Sequence, residues 1–265
     1  MKKNLARWNE TTTLHAKSPD YDLENFMKGK NSLHDIELKE LGDVKGKSLL
    51  HLQCQFGMDT LSWARLGASK VVGVDFSDVA IDLANSINKE LKLPAEFICT
   101  NLYDLPDKLN EQFDIVFTSY GVLVWLPDLE GWAKTVSRYV KKGGTFFIAE
   151  FHPFMWIFDD EHKSELVYKY PYFTGKEAFH FTSENSYTEH DEKIKNVDTY
   201  EWHHTFSDII TALINEGLTI QSVKEYPYTL FPSFPFLDKH ENGIWRFKDD
   251  KFSVPMIFSI KATKN

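Results

Sequence analysis

Cysteine is nearly absent from this chain: Cys54 and Cys99 are the only two in 265 residues. Two thiols cannot build a disulfide framework or a cysteine-based metal site. The expected state is a reduced, buried pair in a cytoplasmic protein. Long apolar runs are also missing. No stretch of 18 apolar residues exists, so no membrane span is expected. The opening MKKNLARWNE lacks the apolar core of a secretory signal. Positive charge is scarce too. Thirty Lys and Arg face 39 Asp and Glu, giving a formal charge of −9, and no basic run exceeds a pair. A nucleic-acid partner normally demands a basic face, so none is expected.

Aromatics are plentiful by contrast, at 15% of residues. Twenty-two of them fall between Phe151 and Phe252, so the second half differs in character from the first. The length suits one large α/β domain with insertions or two small domains.

The organisation follows from periodicity. Helical patches are expected around Asn4–Asn9 and Asp22–Glu40, with a loop over Gly42–Lys47. Short, continuously apolar strands are expected at Ser48–Leu52, Val71–Val74, Ala95–Cys99, Phe113–Thr118 and Thr145–Glu150. Helices fall between them at Met58–Leu66, Ser77 to about Leu91 (Ser77 as N-cap) and Leu129–Val140. Apolar strands alternating with helices mean a doubly wound, mostly parallel sheet covered on both faces. The alternation then breaks. Phe151–His203 shows no clear helix, and KEAFHFTSENSY and KNVDTYEWHH read as an antiparallel hairpin or lid. A helix capped by Ser207 runs to Asn215, a strand follows at Leu218–Tyr226, and a Pro- and Phe-rich loop spans Pro227–Lys251. Pro255–Ala262 closes the sheet. These signals divide the chain into an N-terminal helical cap (1–46), a cofactor-binding core (47–150), an aromatic-rich lid (151–206) and a C-terminal helix with strands completing the sheet (207–265).

In such sheets ligands bind beyond the carboxyl ends of the strands. After the first strand come Gln53, Cys54, Gln55, Phe56 and Gly57, with a helix N-terminus aimed at that turn. After the second come Asp75, suited to two ribose hydroxyls, and Phe76. Asn101 and Leu102 follow the third, suited to an adenine edge and face. Ser119 and Tyr120 follow the fourth. Together they describe a nucleoside site. The NAD fingerprint G-x-G-x-x-G needs glycines that Gln53 and Gln55 replace, and a diphosphate would be crowded there. S-adenosylmethionine carries adenosine and a short amino-acid tail, and makes weaker demands.

Ser48–Ala262 resembles the class I S-adenosylmethionine-dependent methyltransferases. LLHLQCQFGMDT stands at their glycine-rich first motif, VVGVDFS at the second, FICTNLYDLP at the third and FDIVFTSYGVLVWLPDLEGW at the fourth. RYVKKGGTFFIAEFHP and HHTFSDIITALINEGLTIQSVKEYP resemble the later helix and strand segments. The usual motif I acid is His51 here, and the pattern is similar to an H-L-Q-C-x-F-G subgroup. The resemblance implies a Rossmann-like seven-stranded sheet whose last strand is antiparallel, S-adenosylmethionine as cofactor (S-adenosylhomocysteine as product), and Asp75 as the ribose-binding acid. Trp8, His15 and Tyr21 are candidates to close over the methionine end, and Gln53 and Gln55 to hold it.

The expected activity is methylation of a small-molecule acceptor. A non-catalytic cofactor-binding paralogue or an NAD-dependent oxidoreductase are the alternatives. General-base candidates are His152, Glu150, His203 and His204. Trp156, Tyr172, Trp202 and Trp245, with Tyr170, Tyr228 and Phe231, are candidates to wall an apolar or cationic acceptor. No metal site is expected, and neither oligomeric state nor the acceptor atom is encoded in any motif.

Overall fold

A computed structural model of the chain describes residues 1–188, 192–240, 243–249 and 253–265. Three helices come first: α1 (Lys2–Lys17), α2 (Leu23–Met27) and α3 (Asp35–Leu41). The alternating core follows as β1 (Ser48–Leu52), α4 (Met58–Arg65), β2 (Lys70–Asp75), α5 (Asp78–Leu91), β3 (Ala95–Cys99), β4 (Phe113–Ser119), α6 (Leu129–Tyr139) and β5 (Val140–Phe151). A hairpin of β6 (Phe179–Thr182) and β7 (Asp198–Glu201) precedes α7 (Phe206–Asn215) and β8 (Leu218–Tyr226). A second hairpin, β9 (Leu237–Lys239) and β10 (Trp245–Phe247), leads to β11 (Ile257–Lys264).

The seven-stranded sheet has the order β3-β2-β1-β4-β5-β11-β8. Leu50 on β1 pairs in parallel with Val72 and Val116, and Ile148 on β5 with Thr118. Strand β11 runs antiparallel to both neighbours, with Ile260 facing Ile148 and Val223. It is thus the one reversed strand of a Rossmann-like sheet.

Alternate side chains of one apolar strand feed two cores, which is why the strands are continuously apolar. Leu50, Val72, Val116 and Ile148 pack under Trp132 and Val136 of α6 and Leu213 of α7. Leu49, Val71, Ile115 and Phe147 pack on the other face with Ile36 and Trp63.

Several sequence expectations are corrected. The segment Asp22–Glu40 is two short helices, because residues 29–34 leave the helical path at Gly29 and Ser32 ties to Asp59 and Ser62 instead. Helix α7 is capped by Thr205, not Ser207: Thr205 Oγ1 accepts from Asp208 N (3.1 Å) and Asp208 returns a bond to Thr205 N, a full capping box. The Pro-rich loop contains the β9–β10 hairpin; its residues 241, 242, 250 and 251 lie outside the described residues. Ser77 does cap α5, accepting from Ala80 N at 3.0 Å.

Helix α1 is longer than Asn4–Asn9, and its periodicity could not show this because its buried face is mostly polar: Asn4, Thr11, Thr12 and His15, with Leu14 alone apolar. Hydrogen bonds replace the apolar stripe. Asn4 bonds both backbone groups of Tyr200 (2.7 and 2.9 Å). Arg7 donates to the carbonyls of Ser183 and Asn185. Glu10 accepts from Lys195 N and Asn196 N. Asn9 bonds Asp78 and Ser77. The helix thereby ties the β6–β7 hairpin to α5.

Candidate active site at the carboxyl edge of the sheet

The turn after β1 retains a glycine-like backbone without the glycines. Gln53 (φ 58°), Gln55 (φ 50°) and Gly57 (φ 79°) are all left-handed. For the two glutamines this conformation costs on the order of 1 kcal/mol each, so their side chains have to return something. Gln53 Nε2 donates to Val122 O (3.0 Å), while its Oε1 is buried with no partner among the described residues. Gln55 N donates to Asp75 Oδ2 (2.9 Å), and its amide nitrogen lies 3.0 Å from His15 Nδ1.

Gly57 has a different job from the one its motif position suggests. A Cβ there would sit 2.5 Å from Phe97 Cε1 and 3.1 Å from Ala84 Cβ, so its bare side faces the core and not a ligand. Gly57→Ala is expected to destabilise by about 2–4 kcal/mol, adding left-handed strain to overpacking. Urea denaturation measures this, and a loss under 1 kcal/mol would refute the packing role.

Asp75 closes the end of β2. Oδ1 accepts from Ser77 N and Oδ2 from Gln55 N, both at 2.9 Å. One lone pair on each oxygen is left for a ligand. Burial raises its pKa, against the pull of the Ser77, Gln55 and Phe76 N–H groups. A cavity of about 50 Å³ opens beside it. Gln53, Asp75, Phe76, Asn101 and Leu102 line it, as expected. So do Thr100, Tyr103, Trp125 and Leu126, and Met1 and Asn4 of α1, which the sequence reading missed. The placement of Trp125 inside GVLVWLP was the available signal. Asn101 caps the turn after β3, accepting from Tyr103 N (3.1 Å), and its amide nitrogen touches Met1 Sδ at 3.6 Å.

A second cluster stands against Gln55 and Phe56 in the turn before α4. His15 is stacked on Tyr21 (5.4 Å) and packs on Tyr187 (4.8 Å), and the two tyrosine hydroxyls meet at 2.5 Å. Trp8 sits edge-on to His15 (6.0 Å) and to Trp125 (5.4 Å), so it bridges this cluster to the cavity.

Other candidates are placed elsewhere. Phe56 is a core residue with Met58, Leu61 and Phe26. Ser119 points at Asp59 (3.2 Å), and Tyr120 donates to Glu37 Oε2 (2.9 Å) on the α3 side of the sheet. His152 caps the turn Pro153–Ile157, accepting from Phe154 N at 3.1 Å, and its Nε2 lies 3.0 Å from Glu225 Oε1. Rings of Phe206 and Phe258 pack against it, and the expected base is not among the residues that line the cavity. Glu150 is no base either: Gly121, Val122, Leu123 and Phe151 all donate their backbone N–H to it. Tyr172 accepts from Phe206 N, and Trp245 belongs to a satellite core around Phe234 and Met256. His204 is spent on Leu126 O (2.8 Å). Trp156 and His203 do meet, with ring centroids 6.3 Å apart, and His203 Nε2 lies 4.0 Å from Glu201; Trp202 is placed by its N–H, which donates to Val124 O.

With this geometry in view, comparison with known proteins is specific. Residues 49–144 match the family model described as "Methyltransferase domain". An uncharacterized protein of Haemophilus influenzae is 26% identical over 92% of this chain and 96% of its own length. The ubiquinone biosynthesis O-methyltransferase of Pseudomonas syringae is 29% identical over 44% of this chain and 52% of its own. The chain thus spans about half the length of that relative. The fold is shared with an S-adenosylmethionine dependent methyltransferase from Mesorhizobium loti, at a TM-score of 0.58 and 20% identity, covering 89% of this chain and 99% of that one. Residues 49–144 thus carry a methyltransferase domain, and the chain shares its fold with S-adenosylmethionine dependent methyltransferases. Among the described residues no helix is long and apolar enough to cross a membrane.

Proposed function

We propose that this protein transfers the methyl group of S-adenosylmethionine to a small-molecule acceptor. The observation that carries the reading is the cavity beyond β1, β2 and β3. There Asp75 has two spare lone pairs and Gln53 Oε1 is a buried acceptor without a donor. A buried acceptor left unpaired costs about 1–3 kcal/mol, and a ligand donor relieves it. The residues fit an adenosyl group: Asp75 for the ribose hydroxyls, Asn101 for the base edge, Leu102 and Phe76 for its faces. Gln55, His15 and Tyr21 stand where the methionine end would lie.

The cofactor supplies an electrophilic methyl on sulfur, and the chain supplies position and dryness. The cavity, at about 50 Å³, falls well short of the roughly 300–1,000 Å³ of pockets that enclose small ligands. Met1, Asn4 and Trp125 therefore have to withdraw for the nucleoside to enter, and the polar attachments of α1 suit such a movement better than an apolar seam would. In the same reading residues 1–46 form the cap, 47–150 the cofactor core, 151–206 the lid, and 207–265 the completing strands. A formal charge of −9 favours a small acceptor over a nucleic acid, and two unpaired cysteines suit the cytoplasm.

S-adenosylhomocysteine at a hundred times its Kd is expected to stabilise the fold by about 2.7 kcal/mol, while NAD leaves the melting temperature unchanged. The reverse result ends the reading. Asp75→Ala is expected to weaken S-adenosylhomocysteine binding by roughly 10- to 100-fold in calorimetry, the loss of two hydrogen bonds to a carboxylate.

A further inference from the structure

Strand β7 ends at Glu201 against the loop that follows β4. Trp202 N donates to Val124 O at 2.8 Å, and Asn4, which lines the cavity, grips the backbone of Tyr200. Glu201 is therefore fixed beside the cavity wall, at the carboxyl ends of β4 and β5, where an acceptor has to meet a methyl donor.

Its surroundings are aromatic. His203 is stacked 4.5 Å from Phe179, with Phe181 and Trp156 each at 6.3 Å. Trp156 in turn meets Phe151, the last residue of β5, edge-on at 6.2 Å. Glu201 Oε1 accepts from Thr199 Oγ1 (3.3 Å), and Oε2 is 4.0 Å from His203 Nε2. The cation nearby, Arg7, spends its N–H groups on the carbonyls of Ser183, Asn185 and Asn196. The carboxylate keeps 21% of its side chain exposed, so a ligand can reach it.

We propose that this aromatic-walled carboxylate receives the amino group of the acceptor, so that the substrate class is a primary or secondary amine. The proposal rests on the methyltransferase reading above. Ring faces and a carboxylate both attract an ammonium ion. Glu201 takes one proton from that ammonium. The freed nitrogen lone pair forms the new N–C bond, the pair of the breaking C–S bond stays on sulfur, and the methylated amine leaves as an ammonium ion. Burial holds Glu201 up at about 7, a base matched to neutral pH. A neutral aliphatic hydroxyl offers no positive charge to the carboxylate or the ring faces.

The test compares butylamine with its neutral analogue butan-1-ol, read by tryptophan fluorescence on the full chain with S-adenosylhomocysteine present. Butylamine is expected to bind at least tenfold more tightly. Glu201→Gln should abolish the preference and leave S-adenosylhomocysteine affinity, measured by calorimetry, within twofold. Phe179→Leu keeps the carboxylate and should weaken butylamine at least threefold more than the alcohol. Equal affinity of the two probes for the wild type, or a preference that survives in both variants, overturns the amine assignment. Failure of the wild type to bind S-adenosylhomocysteine strikes the methyltransferase reading instead.

Discussion

Glu150→Ala is expected to cost about 3–5 kcal/mol of folding stability and to abolish S-adenosylhomocysteine binding. The side chain is buried, and it accepts from four backbone N–H groups: Val122 at 2.7 Å, Leu123 at 3.1 Å, Phe151 at 2.6 Å, and Gly121. Each buried donor left unpaired costs about 1–3 kcal/mol, and the alanine variant offers nothing in return. The effect reaches the site because this loop carries Val122 O, which holds Gln53, and Trp125 and Leu126, which wall the cavity. Glu150→Gln should recover part of the stability, since one carbonyl oxygen remains while the amide group faces further donors. Urea denaturation and calorimetry on both variants measure this. Alanine at 150 with S-adenosylhomocysteine affinity within threefold of wild type would show that the loop needs no anchor.

Glu37→Gln is expected to stabilise the protein by several kcal/mol at pH 8 and by little at pH 5. Glu37 is fully buried on the α3 side, with Tyr120 as donor to Oε2 and no partner for Oε1 among the described residues. Burial, reinforced by the negative charge of Asp59, raises its pKa from 4.5 to about 8. Between those values the folded chain holds a proton that the unfolded chain has released. Stability therefore falls as pH rises through that window, by at most about 1.4 kcal/mol per unit. The glutamine variant lacks this loss, so the gap between the two proteins should widen from pH 5 to pH 8 and then stay constant. His51 acts in the opposite direction. Burial lowers its pKa from 6.5 to about 4, so it costs stability as pH falls from 6.5 towards 4, in wild type and variant alike. A pH-independent gap in urea denaturation would mean that Glu37 is ionised throughout.

Parts of the site were legible because they lie within a few residues of a strand end. Asp75, Phe76, Asn101 and Leu102 follow apolar runs with well-marked limits, and the parallel register brings them together. Gln53 and Gln55 were readable as replacements of glycine, but their left-handed backbone was not, since glutamine seldom adopts it. His152 misled for a related reason. Its position after β5 is right, yet a strand end fixes where a side chain starts and not where it points, and its Nδ1 is taken by Phe154 N. Gly57 marked the turn correctly, while its reason is the ring of Phe97, 40 residues away in sequence.

The sequence by itself determined the alternating core, the reversed last strand expected from family resemblance, and the acid at the end of β2. These follow from local periodicity and from connections that admit one handedness. Tertiary structure alone decided the rest: that α1 binds through a mostly polar face, that Glu150 is an anchor, and that His203, beside Glu201, meets the rings of Trp156 and Phe179. Those contacts join residues tens to nearly two hundred positions apart, through hydrogen bonds and ring faces that leave no periodic trace along the chain.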